Sequence, residues 1–428
     1  MRDAAEYALD ALKKAGAGKA SVRVSKSRSD EFNIEANKFT LLRTMFDDSI
    51  SLKALVDGRK GVAIVNKLDK PSIDEAVEDC ITLAKSAQPD EAEDIAPLGE
   101  NKSFDQTIGG ADLDKLFERS KEYLEQVKEQ FPKIVIDNFS SAFGGGEYAY
   151  VNSNGVSFDG KEESYGFNSL FAGKEGEKSS SFNHTGFGLK DLDTPFLKLG
   201  MHSAQLEESV KSLETRIVDG KFTGKIIVTP TCPDIWYNLF YCFLGDAPMI
   251  EGTSRWKDAL NTLVANPALT LRTIPLNPKI VEGERFTNDG FLSQDMDIIK
   301  DGVLKSFFLS LYGANKTGKP RALNTSMNIE VLPGTALLEE MIKGIEKGVL
   351  VNRFSGASPS ASGEVTGVAK NSFLIENGKV TDALQETMIS FNVLDALKNI
   401  TAISKESICD GGSILPWVCF DGITVSGK

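Results

Sequence analysis

Turn signals divide this chain into short alternating runs, and that pattern constrains its architecture more than any other feature. Asp57-Gly58, Asn154-Gly155, Asp159-Gly160, Asn288-Asp289-Gly290, Lys300-Asp301-Gly302 and Glu376-Asn377-Gly378 each put residues tolerant of positive φ between apolar segments. Residues 20–25, 31–36, 49–56 and 61–65 alternate polar and apolar, as half-buried strands do, and nearly everything after 270 reads the same way. Helical periodicity interrupts this texture. It predicts helices over 3–15, 72–87, 112–130, about 194–211, 233–244, about 336–347 and about 386–397. Ser72 followed by Glu75 has the spacing of a capping box. A chain of 428 residues is too long for one ordinary core. The expected fold class is α+β. A mixed α/β N-terminal domain spans 1–215, with a polar linker near 88–110, and a β-rich, antiparallel, barrel-like C-terminal domain spans 220–428.

Composition excludes several functions. The chain has two histidines, His184 and His202, and neither has another ligand at metal-binding helical spacing. No His-Glu-x-x-His helix and no Gly-x-Ser-x-Gly elbow can be written, so neither a self-contained zinc hydrolase nor a standard serine hydrolase is expected. A surface or strand-paired position is the ordinary reading of each histidine. The formal net charge of −13 repels phosphates, which argues against direct nucleic-acid binding. Five widely spaced cysteines, Cys80, Cys232, Cys242, Cys409 and Cys419, lack any Cys-x-x-Cys pair. They fit reduced thiols in a cytoplasmic protein. No apolar stretch of about 18 residues occurs, so no membrane span is expected.

Two motifs remain. Gly313-Ala314-Asn315-Lys316-Thr317-Gly318-Lys319 nearly spells a phosphate-binding loop, but Pro320 stands where a magnesium-binding hydroxyl is required. A flexible polar loop is the expectation there. Trp236, Tyr237, Phe240 and Tyr241, with Trp256 nearby, form an aromatic cluster on a short apolar helix. The ordinary reading is a buried core helix. The alternative is that Trp236, Tyr237, Tyr241 and Trp256 line a groove or chamber for an extended peptide, because Tyr and Trp pack at one end and hydrogen-bond at the other.

Several segments in order resemble the TldD/PmbA family, also called the modulator-of-DNA-gyrase family. They are Leu55-Val56-Asp57-Gly58-Arg59-Lys60-Gly61, Val151-Asn152-Ser153-Asn154-Gly155, Phe286-Thr287-Asn288-Asp289-Gly290, Ile375-Glu376-Asn377-Gly378 and Phe420-Asp421-Gly422-Ile423-Thr424-Val425-Ser426-Gly427-Lys428. The resemblance implies a two-subunit cytosolic metallopeptidase system acting on unfolded or leader peptides. Its TldD-type members carry a His-Glu-x-x-x-His zinc helix and a later Cys ligand; its PmbA (TldE) type lacks that helix motif. Here Trp236, Tyr237 and Tyr241 stand where His, Glu and His would be, and Cys409 does not clearly occupy the later Cys position. No catalytic residue, metal ligand or cofactor therefore carries over to this chain. The resemblance implies a non-zinc, PmbA-like subunit that pairs with a TldD-like zinc partner and a peptide substrate. The alternative it leaves is a homodimeric peptide-binding or regulatory protein without hydrolysis.

Overall fold

The computed structural model describes residues 1–385 and 387–427. Glu386, where the last expected helix would begin, and Lys428, the end of the second expected domain, lie outside the described residues. Among the described residues the strands form one eight-stranded sheet and one fourteen-stranded sheet.

The first sheet is built on long strands. After helix α1 (Arg2–Lys14), β1 (Lys19–Glu35) and β2 (Lys38–Val56) form an antiparallel hairpin. The two strands expected separately over 20–25 and 31–36 are thus one element. The connecting Ala36-Asn37 loop has φ values of 47° and 63°, a left-handed turn made without glycine. β3 (Arg59–Val65) returns through Asp57-Gly58, both at positive φ, as the sequence predicts. Helix α2 (Lys70–Ser86) starts before Ser72 because Asp69 caps it, accepting the Ser72 N–H at 3.1 Å. After β4 (Lys102–Gln106), helix α3 (Leu113–Gln130) is capped by Asp112, which accepts from Lys115 N–H at 2.9 Å. β5 (Ile134–Asn152) and β6 (Ser157–Glu175) complete the large strands, followed by β7 (Lys178–Ser179) and β8 (Asn183–Leu189). The order is β3-β2-β1-β5-β6-β4, with β7 and β8 also on β6.

The expected Asp159-Gly160 turn does not form; both residues lie inside β6. The glycine serves close packing instead. A Cβ at Gly160 would sit 2.5 Å from Tyr148 Oη and 3.0 Å from the Phe104 carbonyl oxygen. Val22, Val24, Phe32 and Ile34 occupy alternate positions of β1 and so share one face. α1 and α2 cover the Val22 end, and α3 with α4 (His202–Lys211) covers the Phe32 end. His202 is neither on the surface nor in a strand. It is buried among Tyr123, Phe167 and Phe171, with Nε2 3.0 Å from Tyr123 Oη.

The second sheet begins with β9 (Thr215–Arg216) and β10 (Lys221–Val228) and hangs on the strand Ile414–Ser426. That strand pairs along one edge with β10 and along the other with Ile400–Cys409 and then Thr387–Asn392. The expected helix over 386–397 is therefore mostly strand, with only Val393–Lys398 helical. The helix expected over 336–347 is shorter, Leu338–Lys343, and ends at Gly344. The fold class is α+β, but the expected antiparallel barrel does not form. Three pairings are parallel: β10 with Lys347–Val351, Glu330 with Ile414, and β9 with Ala383–Leu384. The main path ends at Val303–Leu304 on one side and β9 on the other, and these ends do not join, so the sheet stays open. The near phosphate-binding motif is not a loop. It lies largely in helix Leu311–Thr317, closed by left-handed Gly318.

At β8 the first sheet meets the second half through bare backbone. Gly188 N–H in β8 donates to the Asp410 carbonyl at 2.8 Å; within the second half, Val281 N–H donates to the Gly411 carbonyl at 2.8 Å and holds the same turn. Gly411 has φ 86°, and a Cβ there would fall 2.3 Å from the Gly188 carbonyl oxygen. Nearby, Asn352 Nδ2 donates to Glu208 Oε2 at 2.8 Å and to the Asn371 carbonyl at 2.9 Å, linking α4 to the second sheet.

Two outcomes follow from these contacts. Gly411→Ala should lower unfolding free energy by about 1–3 kcal/mol in urea titration, since it combines a strained φ with a backbone collision. Burial pushes the Glu208 carboxyl up to about 7. Its neutral form is favoured in the fold, so this stability contribution is full below the unfolded carboxylate range and is lost as pH rises through 7. Burial pulls His202 down to about 3, so its contribution is lost in the other direction, as pH falls below the ordinary histidine range. Glu208→Gln should therefore melt higher than the parent at about pH 8.5, by on the order of 1 kcal/mol. It should leave the acid-side loss unchanged.

Candidate functional site

A cleft opens where β8 faces the second sheet. Among the described residues β8 pairs with another strand, β6, along one edge only. Antiparallel geometry points the backbone of alternate residues outward from that pairing. Gly188 N–H, already taken by Asp410, marks the even-numbered residues as the outward set. The His184 carbonyl accepts from Gln205 Nε2 at 3.1 Å. Between them, the N–H and C=O of Gly186 point into the cleft. A side chain there would meet Asn168 Oδ1 at 2.4 Å, so glycine suits the position.

The opposite wall comes from distant parts of the chain. Pro230 and Thr231 follow β10, and Thr231 Oγ1 donates to the Asn352 carbonyl at 3.1 Å. The turn Asp410–Ser413 closes the wall. Asp410 accepts from Gly412 N–H at 2.8 Å, Ser413 N–H at 2.6 Å and Ser413 Oγ at 3.0 Å, so its carboxylate shapes the turn. The inner part of the cleft has a volume of about 120 Å³ and the outer part about 510 Å³; His184, Gly186, Phe187 and Asp410 line both. Glu282 and Asn328 carry the groove on to a third cavity of about 270 Å³ beside Arg23 and Arg285.

The aromatic residues do not share one surface. Trp236 and Trp256 are core side chains, 2% and 5% exposed, with Trp236 6.3 Å from Phe420 and Trp256 5.7 Å from Phe243. Helix α5 (Asp234–Leu239) runs straight into a wider turn over Phe240–Leu244, which turns Phe240 and Phe243 into the same core. Tyr241 is 67% exposed. Tyr237 is half-buried beside Ser413, and burial first, then Asp410, raises its phenol pKa. Tyr237 thus reaches the cleft wall, Tyr241 faces out, and the two tryptophans hold the helix in place.

The chemistry of the donors is limited. Ser413 gives its hydroxyl hydrogen to Asp410, and among the described residues His184 has no side-chain hydrogen bond to either, so no nucleophile–base pair is assembled. Burial and the Arg353 guanidinium hold His184 below the ordinary histidine range. Cys409 Sγ donates to the Lys279 carbonyl at 3.7 Å, and burial raises its thiol pKa. Among the described residues no group of three or more His, Cys, Asp or Glu side chains converges as metal ligands do. Indole and phenol at 236, 237 and 241 do not fit a zinc ion. What the cleft offers is an unpaired strand edge, flanking polar groups and room for an extended chain. The sequence held one signal for it, the run Asp410-Gly411-Gly412-Ser413, which has turn composition.

Comparison with known proteins bears on this site. The description "PmbA/TldA metallopeptidase C-terminal domain" matches residues 223–427, and "PmbA/TldA metallopeptidase domain 1" matches residues 20–84. A metalloprotease PmbA homolog of Haemophilus influenzae is 23% identical, over 100% of this chain and 96% of its own length. TldE of Thermococcus kodakarensis superimposes with a TM-score of 0.86 at 20% identity, covering 99% of this chain and 100% of that one. A Bacteroides thetaiotaomicron protein, described as a candidate modulator of DNA gyrase, gives 0.87 at 23% identity, covering 100% and 99%. With two domain models of one family matched in order and relatives aligned from end to end, this chain belongs to the TldD/PmbA family.

Proposed function

We propose that this chain is the non-zinc, peptide-holding subunit of a cytoplasmic TldD/TldE-type peptidase, and that a TldD-like partner supplies the zinc. The observation that supports this reading is the cleft at Gly186, a strand edge whose N–H and C=O face the cleft; among the described residues no metal-ligand cluster converges beside it. An extended peptide would pair with Gly186 N–H and C=O, which gives affinity with little dependence on sequence. The narrow inner cleft, about 120 Å³, suits an unfolded segment and excludes a folded domain. Tyr237 would hold the peptide from the α5 side, and exposed Tyr241 would sit on the surface that the partner covers. Hydrolysis would use water bound to the partner's zinc. All five cysteines are free thiols, in keeping with a reducing compartment. No helix among the described residues is long and apolar enough to cross a membrane.

Two measurements test this. A labelled unstructured peptide should bind the purified chain in fluorescence anisotropy. Thr231→Trp, which fills the inner cleft, should weaken binding at least about tenfold, the loss of roughly 1.4 kcal/mol; undiminished binding in that variant would remove the cleft from the reading. Cleavage of the same peptide should appear only when the chain is mixed with a zinc-bearing TldD-like protein, with bound zinc by mass spectrometry tracking that protein alone. Stoichiometric zinc in the lone chain would overturn the helper role.

A further inference from the structure

The third cavity, at the far end of the groove, is lined by four charged side chains that do not pair with one another. Arg23 reaches it from β1, Glu162 from β6, and Glu282 and Arg285 from the segment that leads into Phe286. Elsewhere on the surface opposite charges close on each other, as Arg2 does with Asp159 at 2.7 Å and Arg272 with Asp297 at 2.9 Å. Among the described residues none of these four forms an ion pair. Neutral groups hold two of them in place. Arg23 Nη1 donates to Asn288 Oδ1 at 3.0 Å, and its guanidinium lies 5.3 Å from the Phe286 ring centre. Glu282 Oε1 accepts from Ser164 Oγ at 2.7 Å. Arg285 and Glu162 have, among the described residues, no side-chain hydrogen bond. Glu284 also lines the cavity but is already used. Ser293 Oγ donates to it at 2.6 Å and Thr325 N–H at 2.9 Å, so its carboxylate ties the wall together.

The four charges are not independent solvated groups. The enclosing walls, and then Glu282, raise the Glu162 carboxyl, while Arg23 pulls it down. Burial, and then Glu162, raises the Tyr148 phenol to about 12, and Arg285 and Arg23 oppose that rise. The rings of Tyr148 and Phe286, 5.7 Å apart, stand beside them. A ligand that satisfies both signs must carry both. A guanidinium favours a carboxylate, which it can hold through two parallel hydrogen bonds, and a carboxylate favours an ammonium. A nucleotide or a dicarboxylate would set negative charge against Glu162 and Glu282, and a polyamine would set positive charge against two arginines. The cavity, about 270 Å³, falls below the roughly 300 Å³ at which sites for drug-sized molecules begin, so the ligand is small.

We propose that this cavity binds a short zwitterionic peptide, with its free carboxylate on Arg23 and Arg285 and its free ammonium on Glu162 and Glu282. Asn288 and Ser164 pre-set Arg23 and Glu282, and Arg285 and Glu162 close on the ligand. The Gly186 cleft takes main chain from the middle of a long peptide, whereas this site needs two free ends. The assignment therefore holds whether or not the peptidase reading does.

Isothermal titration calorimetry of the full chain with alanylalanine should give saturable binding. N-acetyl-alanylalanine and alanylalanine amide, each lacking one charge, should bind at least about tenfold more weakly. Arg285→Gln should weaken alanylalanine by the same factor and leave it no better bound than its amide. Glu162→Gln should do likewise and leave it no better bound than the acetylated form. Neither variant should lower the melting temperature, since neither side chain is hydrogen-bonded within the protein, and Arg285→Lys should recover part of the binding. Thr231→Trp, which fills the Gly186 cleft, should leave the dipeptide titration unchanged. Absence of heat at millimolar dipeptide, equal affinity for the blocked forms, or parent-like binding in either glutamine variant would each overturn the proposal. So would loss of dipeptide binding in Thr231→Trp, which would move the ligand to the cleft. Long-peptide anisotropy that ignores Thr231→Trp, with the dipeptide titrations as expected, would count against the cleft alone.

Discussion

The approach of Gly411 to Gly188 is the constraint on which the rest of this structure depends. Backbone meets backbone there, with one hydrogen bond from Gly188 N–H to Asp410 and no space for a Cβ. The contact fixes how far the second sheet stands from β8, and hence the width of the cleft between them. It also fixes which backbone groups are used up. Gly188 is spent on the joint and His184 on Gln205, so Gly186 is the outward residue left for a ligand. Rigid positioning of a few free backbone groups is an economical route to binding many peptide sequences, because every peptide offers the same main chain.

The aromatic helix has two roles at once. Trp236, Phe240 and Phe243 fill the second core, and each such side chain contributes about 1.5–3 kcal/mol through burial. Tyr237 and Tyr241 keep a polar end near the surface. In relatives of the zinc-bearing type, the resemblance places metal ligands on this helix. Here, at those positions, Trp236 packs in the core and Tyr241 is exposed.

Local features were legible in the sequence, and non-local ones were not. The helices at 2–14, 70–86 and 113–130 follow from apolar spacing, though the cap read at Ser72 is in fact Asp69, and the turns at Asp57-Gly58 and Asn377-Gly378 follow from residues that accept positive φ. Ala36-Asn37 was harder to see because its left-handed turn has no glycine. Gly160 misleads because a glycine demanded by a close neighbour looks like a glycine demanded by a turn. The open edge of the second sheet depends on parallel pairings between segments more than a hundred residues apart, such as Lys225 with Gly348, which no local pattern encodes. The cleft is hidden for the same reason, since its walls come from residues near 186, 231 and 410. The aromatic cluster was visible as a group, but the division between core tryptophans and outward tyrosines came only with the helix's orientation.

The strand Ile414–Ser426 has a consequence for biogenesis. It is made after every segment it binds, including β10, Thr387–Asn392 and Ile400–Cys409. The nascent second sheet therefore lacks its spine while the ribosome is still adding residues, and its apolar strands wait without partners. The first sheet has no such dependence, since its strands are complete by Leu189. Assembly is thus sequential: the amino-terminal half can fold during translation, and the remainder locks together in one late step, the interval in which a chaperone would be of most use.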